Sequence, residues 1–282
     1  MKQQKNARPQ EFHHKRSLGQ NFITDESLFD QLVTLSGVGP EDVVLEIGAG
    51  AGGMTKALSR TCRQVMAIEV DGTLLPILRV AREKCKNVEL VHGDVMRLNL
   101  PQLTEKLGPF HVVANIPYYL TTDLMNLLLT SAMPIQSINV MVQAEAAERI
   151  VARPGDKGYY GMLAVRAAYA YAPEIALDVP ACFFTPPPKV DSAFVTMRRR
   201  ERPKVDVVDE GLFFKVASAA FAMRRKTMAN NLIAAFRISR DTAADWLGAC
   251  GISESARGET LSLQDFAALS NAWPEIRKKV NI

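Results

Sequence analysis

The chain has 282 residues, 48% of them hydrophobic, and sets 34 Lys and Arg against 30 Asp and Glu for a net charge of +4. That length suits one large domain, or a medium and a small one, with ample apolar material for a core. No run of about 18 apolar residues exists, which excludes a membrane-spanning helix. The polar, basic start does not read as a secretory signal.

Residues 1–15 are expected to form a flexible basic arm, with Lys2, Lys5, Arg8 and Lys15 against the single acid Glu11. Residues 43–47 (VVLEI) read as a buried strand, followed by a glycine-rich stretch and a helix through Leu58. Residues 65–69 form a second strand, with a helix to about Lys84, and strands follow at 88–91, 110–114 and 138–142. Near-continuous apolar strands alternating with helices predict a parallel sheet covered on both faces, which binds ligands at the carboxyl ends of its strands. Within 163–199 the pattern changes. Residues 190–197 alternate like a strand that completes the sheet, Pro186, Pro187 and Pro188 form an extended approach to it, and 198–203 read as a linker.

From Asp206 onward the periodicity is helical. The expected helices run from Asp209, its cap, through Phe221, then over 227–236, 241–250 (stopped by Gly251) and 263–273 (capped by Ser262). The predicted organisation is therefore an α/β, Rossmann-like unit over 16–203 and a small all-helical domain over 204–282. Basic residues gather in the N-terminal arm, at Arg198–Lys204 and at Arg224, Arg225 and Lys226, a distribution that points to a polyanionic partner. Cys62, Cys85, Cys182 and Cys250 are scattered without a C-x-x-C pair, so neither a metal site nor a disulfide framework is expected, and the thiols fit a cytoplasmic protein. With no extended apolar stripe unaccounted for, a monomer is expected.

Gly48, Gly50 and Gly53 satisfy G-x-G-x-x-G between the first strand and its helix, and Glu69 stands about 20 residues on, where an acid holds a ribose. A nicotinamide-dependent oxidoreductase is one reading. Three acids oppose it: Glu46 before the glycines, Glu69 at the end of the second strand and Asp94 after the third are expected to converge at one sheet edge. They would repel a pyrophosphate and attract S-adenosylmethionine, which has no phosphate and carries a sulfonium and an ammonium. The glycines let backbone approach its amino-acid end, Glu69 can accept from the ribose hydroxyls, and Asp94 from the adenine amino group.

The fourth strand runs into Asn115-Ile116-Pro117-Tyr118. An exocyclic adenine nitrogen is a poor nucleophile because its lone pair is delocalised. The Asn115 side-chain oxygen and the Ile116 carbonyl can accept from its hydrogens while Pro117 stiffens the turn, so catalysis rests on alignment and preorganisation. Tyr118 offers a face to a base taken out of its stack.

With these residues in view the chain resembles the ribosomal RNA adenine N6-dimethyltransferases, the family whose loss gives kasugamycin resistance. Lys15-Arg16-Ser17-Leu18-Gly19-Gln20-Asn21-Phe22-Ile23 resembles its N-terminal motif and implies cofactor contacts at Asn21 and Ile23. Gly48, Glu69, Asp94 and Asn115 fall on further cofactor positions, with Gly50 in the same loop. The stretch from Phe184 to Ser192 resembles the second base-stacking motif and implies that Phe184 faces Tyr118 across the target adenine. Residues 221–230 resemble the family's signature at the start of the helical domain, and Lys15, Arg16, Arg224, Arg225 and Lys226 are the expected RNA contacts. Ile116 stands where leucine is usual, and Ala144 where many relatives carry lysine. The resemblance implies dimethylation of two adjacent adenines in the 3′-terminal hairpin of small-subunit RNA, late in subunit assembly. Three alternatives stay open: a macrolide-resistance type acting on large-subunit RNA, a non-catalytic RNA-binding relative, and the oxidoreductase.

Overall fold

A computed structural model describes residues 21–279, apart from Thr24 and the side chain of Lys279. The basic arm, with Lys15 and Arg16, and the motif residues before Asn21 lie outside the described residues.

In chain order the elements are β1 (Phe22–Ile23), α1 (Glu26–Ser36), β2 (Val43–Ile47), α2 (Gly53–Thr61), β3 (Gln64–Glu69), α3 (Leu75–Lys84), β4 (Val88–His92), α4 (Leu100–Thr104), β5 (Phe110–Asn115), α5 (Thr121–Thr130), β6 (Ile135–Gln143), α6 (Ala144–Val151), α7 (Met162–Ala170), β7 (Tyr171–Val179), β8 (Phe184–Thr185), β9 (Ser192–Arg199), α8 (Glu210–Ala222), α9 (Met228–Phe236), α10 (Arg240–Ala249) and α11 (Leu263–Lys279). Seven strands form one sheet in the order β4-β3-β2-β5-β6-β9-β7. The first five run parallel, while β9 pairs antiparallel with β6 and β7. β1 and β8 form a separate antiparallel pair, Phe22 opposite Thr185 and Ile23 opposite Phe184.

All five residues of β2 are buried, because it is a central strand with helices on both faces. Alternation splits its side chains: Leu45 and Ile47 join a core with Val112, Leu124 and Val140, whereas Val44 joins one with Leu32, Leu58 and Phe194. Burying such side chains contributes roughly 1.5–3 kcal/mol each.

In the helical region the expected caps Asp209 and Ser262 act as such, and Thr227, expected as the first residue of its helix, caps it instead. Asp209 accepts from the Leu212 N–H at 2.9 Å, Thr227 from Asn230 at 3.4 Å, and Ser262 and Asp265 exchange bonds reciprocally. Around Trp246, whose indole N–H donates to the Leu269 carbonyl at 2.9 Å, lies a third core that includes Phe213, Phe266 and also Val165 and Tyr169 of α7. The helical region thus completes its core with a helix that precedes the last sheet strands.

Three sequence expectations need correction. α11 continues through Pro274 instead of stopping at Trp273, since Trp273 and Ile276 both pack on the helical core. The last strand begins at Ser192 rather than Val190. Its end takes up the expected linker: Arg199 and Arg198 are strand residues. The Arg198 guanidinium lies over Gly37, whose left-handed conformation ends α1. Arg200 donates through Nε to the Tyr171 carbonyl at 2.8 Å. Arg200 is therefore held to the fold, while Arg202 and Lys204 stay exposed. Arg224, Arg225 and Lys226 are exposed in the turn between α8 and α9.

Candidate active site

One cavity of about 240 Å³ opens at the carboxyl ends of β2, β3, β4 and β5. Asn21, Gly48, Gly50, Glu69, Asp94, Asn115, Ile116, Pro117, Tyr118 and Phe184 all line it, so the structure brings together ten of the eleven residues expected at the cofactor and the target base. Ile23 is the exception. It turns into the core with Val179 and Phe194, and its neighbour Phe22 lines the cavity instead. The cross-strand pairing of Ile23 with Phe184 is what fixes that orientation, and no local pattern encodes it.

The glycine loop is pinned at both ends. The N–H groups of Gly48 and Ala49 donate to the Ile68 carbonyl at 2.9 and 3.1 Å. Gly48 has φ 81°, and a Cβ there would stand 3.3 Å from the Asn115 carbonyl oxygen. A side chain would be strained and would crowd the tetrapeptide. Glu69 is 5% exposed, and each carboxylate oxygen accepts a backbone N–H: Gly50 at 2.8 Å and Asp71 at 2.7 Å. The carboxylate is thus aimed before any ligand arrives, with lone pairs to spare. Asp94 is held by the Met96 N–H at 3.0 Å and approached by Arg97 at 3.4 Å, with much of its side chain accessible.

The third acid is elsewhere. Glu46 is 2% exposed and does not line the cavity. It lies beside Thr55 at the start of α2, and neither its Oε2 nor the Thr55 hydroxyl has a well-aligned partner among the described residues. Burial pushes its carboxyl up to about 7; the nearby Thr55 offsets this in part and the charge of Glu69 adds to it. The expected convergence of three acids is therefore a convergence of two. A phosphate is disfavoured all the same, because no Lys, Arg or His borders the cavity among the described residues. A pyrophosphate would meet two carboxylates and no cation. A cationic nucleoside without phosphate fits, its ribose at Glu69 and its base near Asp94, against apolar walls from Ile47, Ile68, Val95 and Leu74.

At the other end of the cavity β5 delivers Asn115. The backbone N–H of Ile116 donates to the Met141 carbonyl of β6 at 3.1 Å, which anchors the tetrapeptide to the sheet. The Asn115 side chain makes no hydrogen bond to another described residue and is free to accept from a substrate. Tyr118 and Tyr119 follow in a single 3₁₀ turn, Tyr118–Leu120. The Tyr118 hydroxyl is 2.9 Å from the Ser192 hydroxyl at the start of β9, and burial holds its phenol above the usual range. Phe184 is 3% exposed, held by the β1–β8 pair. Sequence reasoning did not single out Phe22, Tyr119 or Ser192. Phe22 sits inside the N-terminal motif and Tyr119 directly after the tetrapeptide, but only the fold shows that both border the cavity.

The family described as ribosomal RNA adenine dimethylase matches residues 11–273. Ribosomal RNA small subunit methyltransferase A of Shouchella clausii is 43% identical over 274 residues, covering 95% of this chain and 92% of that one. Among solved structures the fold is similar to the 23S rRNA methyltransferase ErmE (TM-score 0.71, 26% identity, 89% of this chain and 98% of that one). It is also similar to a dimethyladenosine transferase from Plasmodium falciparum (TM-score 0.73, 23% identity, 92% and 98%). The chain belongs to the ribosomal RNA adenine dimethylase family and is an S-adenosylmethionine-dependent methyltransferase.

Proposed function

We propose that the protein dimethylates the N6 amino groups of two adjacent adenines in the 3′-terminal hairpin loop of small-subunit ribosomal RNA, as a late step of subunit assembly. The observation that carries this reading is the unengaged Asn115 amide, set between Tyr118 and the cavity end bearing Glu69 and Asp94. The small subunit is favoured by the 43% identity to a protein named for that particle, over nearly the whole of both chains. The likeness to ErmE supports a second reading, large-subunit RNA, at lower identity.

S-adenosylmethionine, when bound, supplies an electrophilic methyl group. Asn21, Gly48, Gly50, Glu69 and Asp94 would hold it: the glycines by close backbone approach, the acids by accepting from ribose and adenine and by favouring its positive charge. Phe184 and Tyr118 would hold the target adenine between them. The Asn115 side-chain oxygen and the Ile116 carbonyl would accept from its amino hydrogens, so that the nitrogen lone pair turns toward the methyl group. No general base is required by this arrangement, which acts through alignment and fixed dipoles.

Residues 16–203 serve in this reading as the methyltransferase unit and 204–282 as the helical domain that meets RNA, with Arg224, Arg225 and Lys226 on its phosphates. The substrate sets the place of action, the cytoplasm, and the enzyme acts as a monomer. No helix among the described residues is long and apolar enough to cross a membrane.

The deciding experiment is methylation of under-modified small subunits with labelled S-adenosylmethionine, read by nuclease digestion and mass spectrometry. N6,N6-dimethyladenosine in the 3′-terminal hairpin is the expected product. Product only on large-subunit RNA would replace this reading with the second one.

A further inference from the structure

Four aromatic side chains border the cavity, Phe22, Tyr118, Tyr119 and Phe184, and they differ in how far they reach into solvent. Phe184 is 3% exposed, Tyr118 is partly buried, and Tyr119 is 63% exposed. Tyr118 and Tyr119 are consecutive residues of one 3₁₀ turn, so their side chains leave the backbone about a third of a turn apart. Tyr118 is tied to Ser192, whereas Tyr119 is left open to solvent. Among the described residues Tyr119 makes no side-chain hydrogen bond, ring contact or ion pair. Among the described residues, three of the nine exposed large hydrophobic side chains, Val70, Met96 and Tyr119, border this one cavity, so its mouth carries exposed apolar surface.

We propose that Tyr119 is a stacking platform for the nucleobase adjoining the target adenine in the RNA strand. This rests on reading the cavity as a site for adenine methylation. Extruding one base into the cavity removes a stacking partner from its neighbour. An exposed ring one residue from the Tyr118 ring offers that neighbour a new face. Stacking needs no particular hydrogen-bond pattern, so the platform accepts any base and favours purines. A phenol with its ring free and its cavity-side neighbour fixed is suited to this, whereas a solvated tyrosine of no function would have no effect on RNA affinity.

The test compares Tyr119→Ala, Tyr119→Leu and Tyr119→Phe with the native enzyme, first by steady-state methylation of under-modified small subunits. The Ala and Leu variants are expected to raise KM for RNA about 5- to 150-fold, the range for removing one base–aromatic stack, while Phe stays near native. Affinity for S-adenosylmethionine, measured by calorimetry, is expected to be unchanged in all three. A second readout does not need turnover: fluorescence of 2-aminopurine placed next to adenine in a short oligoribonucleotide, which stacking quenches. Native and Phe proteins are expected to quench it, Ala and Leu to leave it bright. Native-like KM and quenching in the Ala variant, or Leu behaving as Phe does, would overturn the proposal. If native enzyme fails to methylate small subunits yet the quenching follows the ring, the substrate reading fails and the platform stands.

Discussion

The hydroxyl of Tyr118 lies 2.9 Å from that of Ser192, joining the Asn115–Tyr118 tetrapeptide to a strand start 74 positions away in the chain. Ser192 is 1% exposed and opposes Gln143 across the β6–β9 ladder, so its position is set by the sheet. In the proposed mechanism this bond would fix the plane of the ring that receives the target base.

Ser192→Ala is therefore expected to lower kcat about fivefold, the worth of one neutral hydrogen bond, without changing cofactor affinity. Tyr118→Phe keeps the ring and loses the same bond, and the double variant should be no worse than either single one. Steady-state kinetics on the four proteins check this; additive losses would mean that the two hydroxyls act separately.

Asn115→Ala removes the free acceptor at the methylation end of the cavity. Methyl transfer is expected to fall at least about 100-fold, as when a preorganised hydrogen-bond group is taken from a reacting centre. Binding of S-adenosylmethionine by calorimetry should change far less. Near-native turnover would remove Asn115 from the chemistry.

Glu46 carries a pH dependence. Its folded-state pKa is raised from 4.5 to about 7 by burial, so the folded protein holds this proton more tightly than the unfolded chain does. Its contribution to stability is fully present below about pH 4.5 and declines as pH rises to about 7, then levels off. Glu46→Gln should flatten that decline and make the variant more stable above pH 7, by up to about 3 kcal/mol. Urea denaturation of both proteins between pH 5 and 8 measures it; parallel curves would show that the carboxyl titrates as an ordinary one.

Arg224, Arg225 and Lys226 are exposed in the α8–α9 turn and enter none of the ion pairs among the described residues. Replacing all three by Gln is expected to weaken RNA binding and to reduce the slope of log affinity against log salt by about 0.7–0.9 for each phosphate no longer neutralised. A lower affinity with an unchanged slope would assign the turn a packing role instead.

What could be known from the sequence alone was what depends on near neighbours. Buried strand runs such as VVLEI, glycines opening a helix, the caps Asp209 and Ser262, and the tetrapeptide after β5 are each written within a few residues, because periodicity and capping act at that range. The tertiary structure decided which side chains those elements aim at the cavity. Glu46 and Glu69 both stand near strand ends, yet Glu46 is sealed beneath α2 in a central strand, while Glu69, the last residue of β3, is turned to the cavity by the N–H groups of Gly50 and Asp71. Ile23 faces the core and Phe22 the cavity because β8 pairs with β1. Arg198 and Arg200 look like part of a free basic cluster in sequence, yet Arg198 lies against Gly37 and Arg200 is bonded to the Tyr171 carbonyl. The Ile23, Arg198 and Arg200 outcomes depend on partners far along the chain, and the Glu46 and Glu69 outcomes on how a helix and a loop pack over the strand ends; no local pattern of hydrophobicity, charge or turn residues carries that information.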